Sequence, residues 1–410
     1  MNIFTKYKKL FLLITFILIT FILGYLIYFI LLKPSLPATI TNKPKESTQI
    51  GNLPTAKEGE KIIISNDELN REKINYPKTK ANPIARGGLT KTEKLNDSPS
   101  IGVNLSPDGS SLRYYDKNDE KFYKIDKNGN TILLTEKIFH SVEKITWSPN
   151  KNKAILEYPD GENIIYNFDT KKQITLPKHF KEFNFSPNGD KIVMKTMGLD
   201  PTNRWLAIVN DDGSKIKKIE NIGLKDKTVY PMWSPNNQII TMYTEGIDFN
   251  RQEVYFVGLN NENFKSTVIE GRGFQPKWSP KGDRLLYSVY SSDNNMKPNL
   301  WVVNAEGDKI GSGRKNLRLE TWANKCAYGD EINLYCAVPN ELQEGAGLFP
   351  EMAKMTIDKL YKIDTRTGMK KLIAIPDNDY NISNIIISDD EQYLYFTDEA
   401  TNRIHKIKLK

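Results

Sequence analysis

Histidine is scarce in this chain. Of 410 residues only His140, His179 and His405 carry an imidazole, and only two residues, Cys326 and Cys336, carry a thiol. So few soft ligands, so widely spread, exclude a zinc ribbon or finger, which needs four ligands at close spacing. None of Ser106, Ser148, Ser186, Ser234 and Ser279 has a histidine placed beside it in sequence as a nucleophile's base would. The phosphate-binding loop is missing too: "QEGAG" at 343–347 and "GSGR" at 311–314 have neither the strand-to-helix setting nor the lysine of a P-loop. "DKNGN" at 126–130 begins like a calcium loop but lacks the later acidic positions and final glutamate. No cofactor and no metal is therefore expected. Nor is there a strong charge of one sign. The formal charge is +8, and Lys6, Lys8, Lys9 and Lys33 supply half of it. Elsewhere acids and bases are interspersed, which reads as a solvated surface with no nucleic-acid footprint.

Only one long apolar run occurs, residues 10–32, "LFLLITFILITFILGYLIYFILL". Twenty-three uncharged residues in a helix rise about 34 Å, against a bilayer core of roughly 30 Å. A signal peptide's apolar core is usually about 7–15 residues, so the run reads as a retained signal-anchor helix. The lysines before it place residues 1–9 in the cytoplasm. The rest of the chain is then expected outside, as a single-pass membrane protein. Residues 33–85 are rich in proline and charge and read as a flexible linker, with "KIIIS" at 61–65 as a short strand at most. Residues 86–410 form the remaining domain.

That domain is repetitive. Ser106, Ser148, Ser186, Ser234 and Ser279 each precede a proline, at separations of 42, 38, 48 and 45 residues. A decayed copy surrounds Ser388. "CAYGDEINLYCAV" at 326–338 aligns with "WSPKGDRLLYSVY" at 278–290, making seven copies. Each unit alternates apolar and polar residues in short strands: "KEFNF", "KIVMK" and "WLAIVN" around the third turn are typical. A period in the forties with four such strands predicts an all-β, seven-bladed propeller of four-stranded antiparallel blades. Pro107, Pro149, Pro187, Pro235 and Pro280 lack a donor and preset φ, so they belong in turns. Trp147, Phe185, Trp233 and Trp278 end the first strand of their repeats and are expected to fill the wedge between neighbouring sheets. Equivalent serines repeated in every turn are scaffold and not nucleophiles. The last copy has three strands before the chain stops, and "GGLTKTEKL" at 87–95 is expected to supply its fourth and close the ring.

With Ser106-Pro107-Asp108-Gly109, Ser186-Pro187-Asn188-Gly189 and Ser279-Pro280-Lys281-Gly282 in view, the repeat resembles the WD40-like, TolB-type β-propeller repeat family. The likeness spans about residues 101–400 and implies the fold. In that family the repeat occurs in periplasmic translocation-associated proteins and in prolyl-oligopeptidase-like enzymes. This chain carries neither the separate small domain of the first nor the hydrolase domain of the second.

Cys326 and Cys336 fall on the first and second strands of the sixth repeat and are expected to form a disulfide between adjacent strands. By alignment Cys326 stands where Trp278 does, and Cys336 where Ser288 does. The same repeat carries an insertion at 340–358, in which Leu348, Phe349, Met352 and Met355 are more apolar than an idle loop requires. They are expected either to cap the channel or to meet a partner, together with the long loop at 290–299. The reading preferred from sequence is a membrane-anchored, extracytoplasmic, non-catalytic propeller that binds a protein or a cell-envelope polymer. The alternative is a channel-centred hydrolase or lyase using carboxylates from several blades.

Overall fold

A computed structural model describes residues 8–27, 80–260, 262 and 264–410. Two compact units divide the chain, Met1–Asn75 and Tyr76–Lys410. In the first, a helix runs over Lys8–Ile27. This corrects the expectation of a transmembrane helix over 10–32: among the described residues no helix is long and apolar enough to cross a membrane. The helix opens on two lysines, so its uncharged part, 10–27, rises about 27 Å, short of the roughly 30 Å required. Residues 28–32, on which the longer reading depended, lie outside the described residues, as does "KIIIS" at 61–65. The single-pass topology, the membrane as a partner and the extracytoplasmic location all rested on that span and fall with it.

The second unit is the seven-bladed propeller. Seven antiparallel sheets follow one another, blade 5 for example as Arg272–Trp278, Arg284–Tyr290, Pro298–Asn304 and Lys315–Asn316. The first strand of each repeat is innermost. Contacts such as Ser100–Leu105 with Lys144–Trp147, and Ile382–Ile387 with Ser100–Leu105, carry these strands around the ring. Second strands are sandwiched between neighbouring blades, which explains their near-continuous apolar sequence. All of Leu112–Asp116 is buried. The core lies between blades: Tyr115 and Phe122 of blade 1 pack with Trp147 and Leu156 of blade 2.

The motif aromatics do fill the wedges. The Trp147 indole donates to the Gly102 carbonyl at 2.6 Å, and that of Trp278 to the Met232 carbonyl at 3.2 Å, each one blade back. Phe185 and Trp233 are buried as well. The serines brace their own turns. Oγ of Ser186, Ser234, Ser279 and Ser388 accepts the amide five residues on, at 2.9–3.0 Å. In blades 1, 3, 5 and 7 the innermost strand slips register by one residue, beside a residue in the left-handed region: Gly102, Glu182, Gly273 and Asn384. Such bulges bend a strand and re-aim its side chains. At Gly102 a Cβ would lie 2.7 Å from the Ile145 Cβ, so this bulge leaves room only for glycine.

Ring closure uses more chain than expected. Glu93–Lys94 pairs antiparallel with Lys406 and His405 as the fourth strand of blade 7. Leu89–Thr90 also pairs, parallel, with Ile375 and Pro376, as a fifth strand on blade 6. The alignment of the sixth repeat needs correction by two residues. Tyr328 faces Leu334 where Trp278 faces Leu285, so Tyr328 holds the tryptophan's place. Cys326 nevertheless faces Cys336 directly, with Cα atoms 4.1 Å apart, and the two form a disulfide.

Candidate functional site

Strands one and three of each blade run toward the Ser-Pro face. The links between second and third strands, and those between blades, therefore emerge on the opposite face. There blades 5, 6 and 7 assemble a polar cluster. The link into blade 6 ends in a 3-10 turn, Ala323–Lys325, that turns the Lys325 side chain inward. Its Nζ lies 2.8 Å from Oδ2 of Asp358, the first residue of blade 6's third strand, and donates at 2.8 Å to Oδ1 of Asn381. The same Asp358 oxygen accepts the Ile382 amide at 2.6 Å. Asn381 donates in turn to the carbonyls of Ala353 and Lys354, at 3.0 and 2.8 Å, which ties down the insertion.

Asp358 is wholly buried, and its Oδ1 has no partner among the described residues. Burial pushes its carboxyl above the usual range, the Lys325 ammonium and the Ile382 amide pull it partly back, and Glu399 adds to the upward push. Glu399 stands in the turn after blade 7's second strand. Together with Gln275, Asn324, Lys325, Lys354 and Ser383 it lines a cavity of about 110 Å³ at the channel mouth. Gln275 and Ser383 come from innermost strands, so the cavity opens beside the channel itself. The buried Gln275 Oε1 has no partner among the described residues. Two residues along the same strand, Lys277 donates to the Cys326 carbonyl, and burial pulls its ammonium down to about 8.

The insertion roofs this site. Leu342, Ala346 and Ala353 pack with Trp322 as a small separate core. Pro350, Ala353 and Lys354 face the cavity. Leu348, Phe349, Met352 and Met355 point elsewhere and are exposed, Met355 by 91%. The two long loops meet: the Gly345 and Gly347 amides donate to the carbonyls of Asn295 and Met296 at 2.9 and 2.7 Å. The histidines are not brought together. His140 pairs with Glu120 at 2.5 Å on the surface, His179 lies edge-on to Phe180, and His405 is buried in blade 7. Sequence reasoning found the insertion but missed Lys325, Asp358, Asn381 and Glu399. They are ordinary polar residues scattered over 75 positions, and the inserted loop marked only blade 6, not the Asn381 and Glu399 of blade 7.

No family model and no curated protein matches the chain. Solved structures do. An oligogalacturonate lyase in complex with manganese is 13% identical, covers 78% of this chain and 93% of its own, and superposes with a TM-score of 0.49. A second oligogalacturonate lyase, from Vibrio parahaemolyticus, is 10% identical with the same coverages and the same score. The β-propeller domain of Cps50 (Swd1) from Myceliophteria thermophila is 10% identical, covers 78% of this chain and all of its own, and scores 0.48. These likenesses concern the fold, a seven-bladed propeller resembling the WD40 and TolB-type families. The expectation of a non-catalytic, membrane-anchored module binding a protein or cell-envelope polymer is corrected at its anchor: among the described residues no helix is long and apolar enough to cross a membrane.

Proposed function

We propose that the protein is an acid–base enzyme, a hydrolase or lyase, acting on a carboxylate-bearing substrate at the mouth of the channel between blades 5, 6 and 7. The observation that carries this reading is one cavity walled by a carboxylate, Glu399 of blade 7, and by two lysines of blade 6, Lys325 and Lys354. Lys325 is held by the buried Asp358 and by Asn381. An ammonium has three donors. Two are committed to protein, and the third is available to a substrate oxygen. Placed against a substrate carboxylate, Lys325 and Lys354 offset its charge and so ease removal of the adjacent C–H proton. In a lyase Glu399 takes up that proton as the C–O bond on the next carbon breaks and the departing oxygen takes a proton from water. In a hydrolase it takes a proton from the water that attacks the scissile C–O bond, and the departing oxygen is protonated from solvent. Positioned proton transfer of this kind contributes about 10²–10⁴-fold. Asp358 acts through Lys325 as a positioning residue. The insertion covers part of this cavity through Pro350, Ala353 and Lys354, whereas Leu348, Phe349, Met352 and Met355, the residues expected to cap the channel or to meet a partner, do not line it.

The experiment is a turnover assay on acidic polysaccharides, supplied both as free acids and as methyl esters. Elimination is read from ultraviolet absorbance of the unsaturated product, hydrolysis from new reducing ends. Turnover of a free acid that falls on esterification, and falls again in Lys354→Ala, is expected. Equal turnover of acid and ester by both proteins, or none on any polymer, contradicts the proposal.

A further inference from the structure

A second cavity, of about 410 Å³, lies on the other side of Ser383 and shares that residue with the first. Its size falls within the roughly 300–1,000 Å³ of small-molecule sites. It spans blades 7, 1 and 2 at the same mouth, because Asn402 closes the very turn that begins at Glu399.

The chemistry of its wall differs. None of its lining residues is charged. Asn104, Asn384 and Asn402 supply amides, and Ser383 supplies a hydroxyl whose proton goes to the Thr397 carbonyl at 3.1 Å. The Asn104 and Asn402 side chains have no hydrogen-bond partner among the described residues, and Asn384 commits only its Nδ2, to the Val103 carbonyl at 2.8 Å. The Thr397 hydroxyl is buried behind this wall and has no partner among the described residues. Ile101 and Ile145 offer half-buried aliphatic surface. Trp147 is already engaged by the Gly102 carbonyl on its edge and by the Arg113 guanidinium 4.3 Å over its face.

Bidentate amides and a hydroxyl oxygen around a small apolar patch, with no ion to pair, match a sugar ring: hydroxyls on the rim, C–H groups on one face. An anion would find no cation here, and an apolar ligand would strand the amides. We infer that this cavity binds a neutral sugar unit of the chain whose acidic unit lies in the neighbouring cavity. The inference rests on the catalytic reading for the second half of that statement. It makes the substrate an oligosaccharide of mixed neutral and acidic units, running from blade 6 across blade 7 to blade 1.

The test is calorimetric titration of the full chain with neutral oligosaccharides (cello-, xylo-, manno-, malto- and chito-series). At least one series is expected to bind the wild type. Glu399→Gln is expected to bind it equally, and Asn104→Ala about tenfold more weakly, the loss of about one hydrogen bond. Asn402 has φ 53, so Asn402→Gly keeps its backbone and serves as the second variant, with the same expected loss. Thermal unfolding of each variant confirms that it folds. Binding of no neutral series, or unchanged affinity in both asparagine variants, overturns the inference. The two readings fail separately: neutral binding without turnover of any acidic polymer sinks only the catalytic one, and turnover without neutral binding sinks only this one.

Discussion

Single side chains account for much of what this propeller does under stress. His405 lies between Tyr380 and Phe396, ring centroids 4.6 and 5.2 Å away, and neither ring nitrogen has a partner among the described residues. Lys94 from the closing strand, Arg403 on its own strand, and Asp398 and Asp377 from neighbouring elements all face it. Burial dominates and lowers its pKa below the ordinary 6.5. A lowered value in the folded state means that the unfolded chain binds more protons. Stability is then full above the ordinary pKa and is lost as pH falls through the folded one. Thermal midpoints measured from about pH 7.5 down to about pH 5 are expected to fall in the wild type and to fall less in His405→Phe. The Lys325–Asp358 pair behaves differently. Removing one partner strands a buried charge, and Asp358→Ala is expected to cost about 3–5 kcal/mol in urea unfolding, most of it recovered in the Lys325→Met/Asp358→Leu double variant. Equal losses in the single and double variants would contradict this. Little of this scale is legible in the sequence. The motif tryptophans announced themselves by repetition, whereas Lys325, Asp358, Asn381 and Glu399 have no shared spacing. What joins them is the return of three separate links to one mouth.

At the scale of strands and turns the sequence is far more readable, because every blade repeats the same physical problem. A proline after the innermost strand, a serine accepting the amide five residues on, and a large ring before it are visible as one motif. The sixth repeat was misread by two residues because its turn is a residue shorter than that of blade 5 and has no Ser-Pro to anchor it. Tyr328, facing Leu334, holds the place that Trp278 holds in blade 5. The paired cysteines survived the error because both strands were assigned correctly. Their bond closes a short loop across the two inner strands of the elaborated blade. Reduction, or Cys326→Ser with Cys336→Ser, is expected to lower unfolding free energy by about 2–3 kcal/mol. An unchanged denaturation midpoint on reduction would show that the crosslink contributes nothing beyond its strands.

The propeller unit is a ring, and a ring is only as stable as its seam. Here the seam is doubled. The strap 87–95 adds one strand to blade 6 and one to blade 7, and the Leu95 amide donates to the Ile404 carbonyl at 2.8 Å. The sequence showed that blade 7 was short of a strand, so half of this was foreseen. The parallel pairing on blade 6 was not, since two residues carry no periodicity. Leu95→Pro removes that amide and is expected to speed hydrogen exchange across Arg403–Lys408 while leaving blades 2 to 4 protected. Uniform exchange throughout would mean that the seam opens no earlier than the rest. The same seam flanks the channel mouth, where blades 6 and 7 hold the cavity. The measurement that tests the account most directly is therefore turnover of carboxylate-bearing polysaccharides by the wild type and by Glu399→Gln, with thermal unfolding run on both. Glu399 is exposed and braces no element, so the account predicts a loss of at least about 10²-fold in rate with an unchanged unfolding midpoint. Equal rates in the two proteins would contradict it.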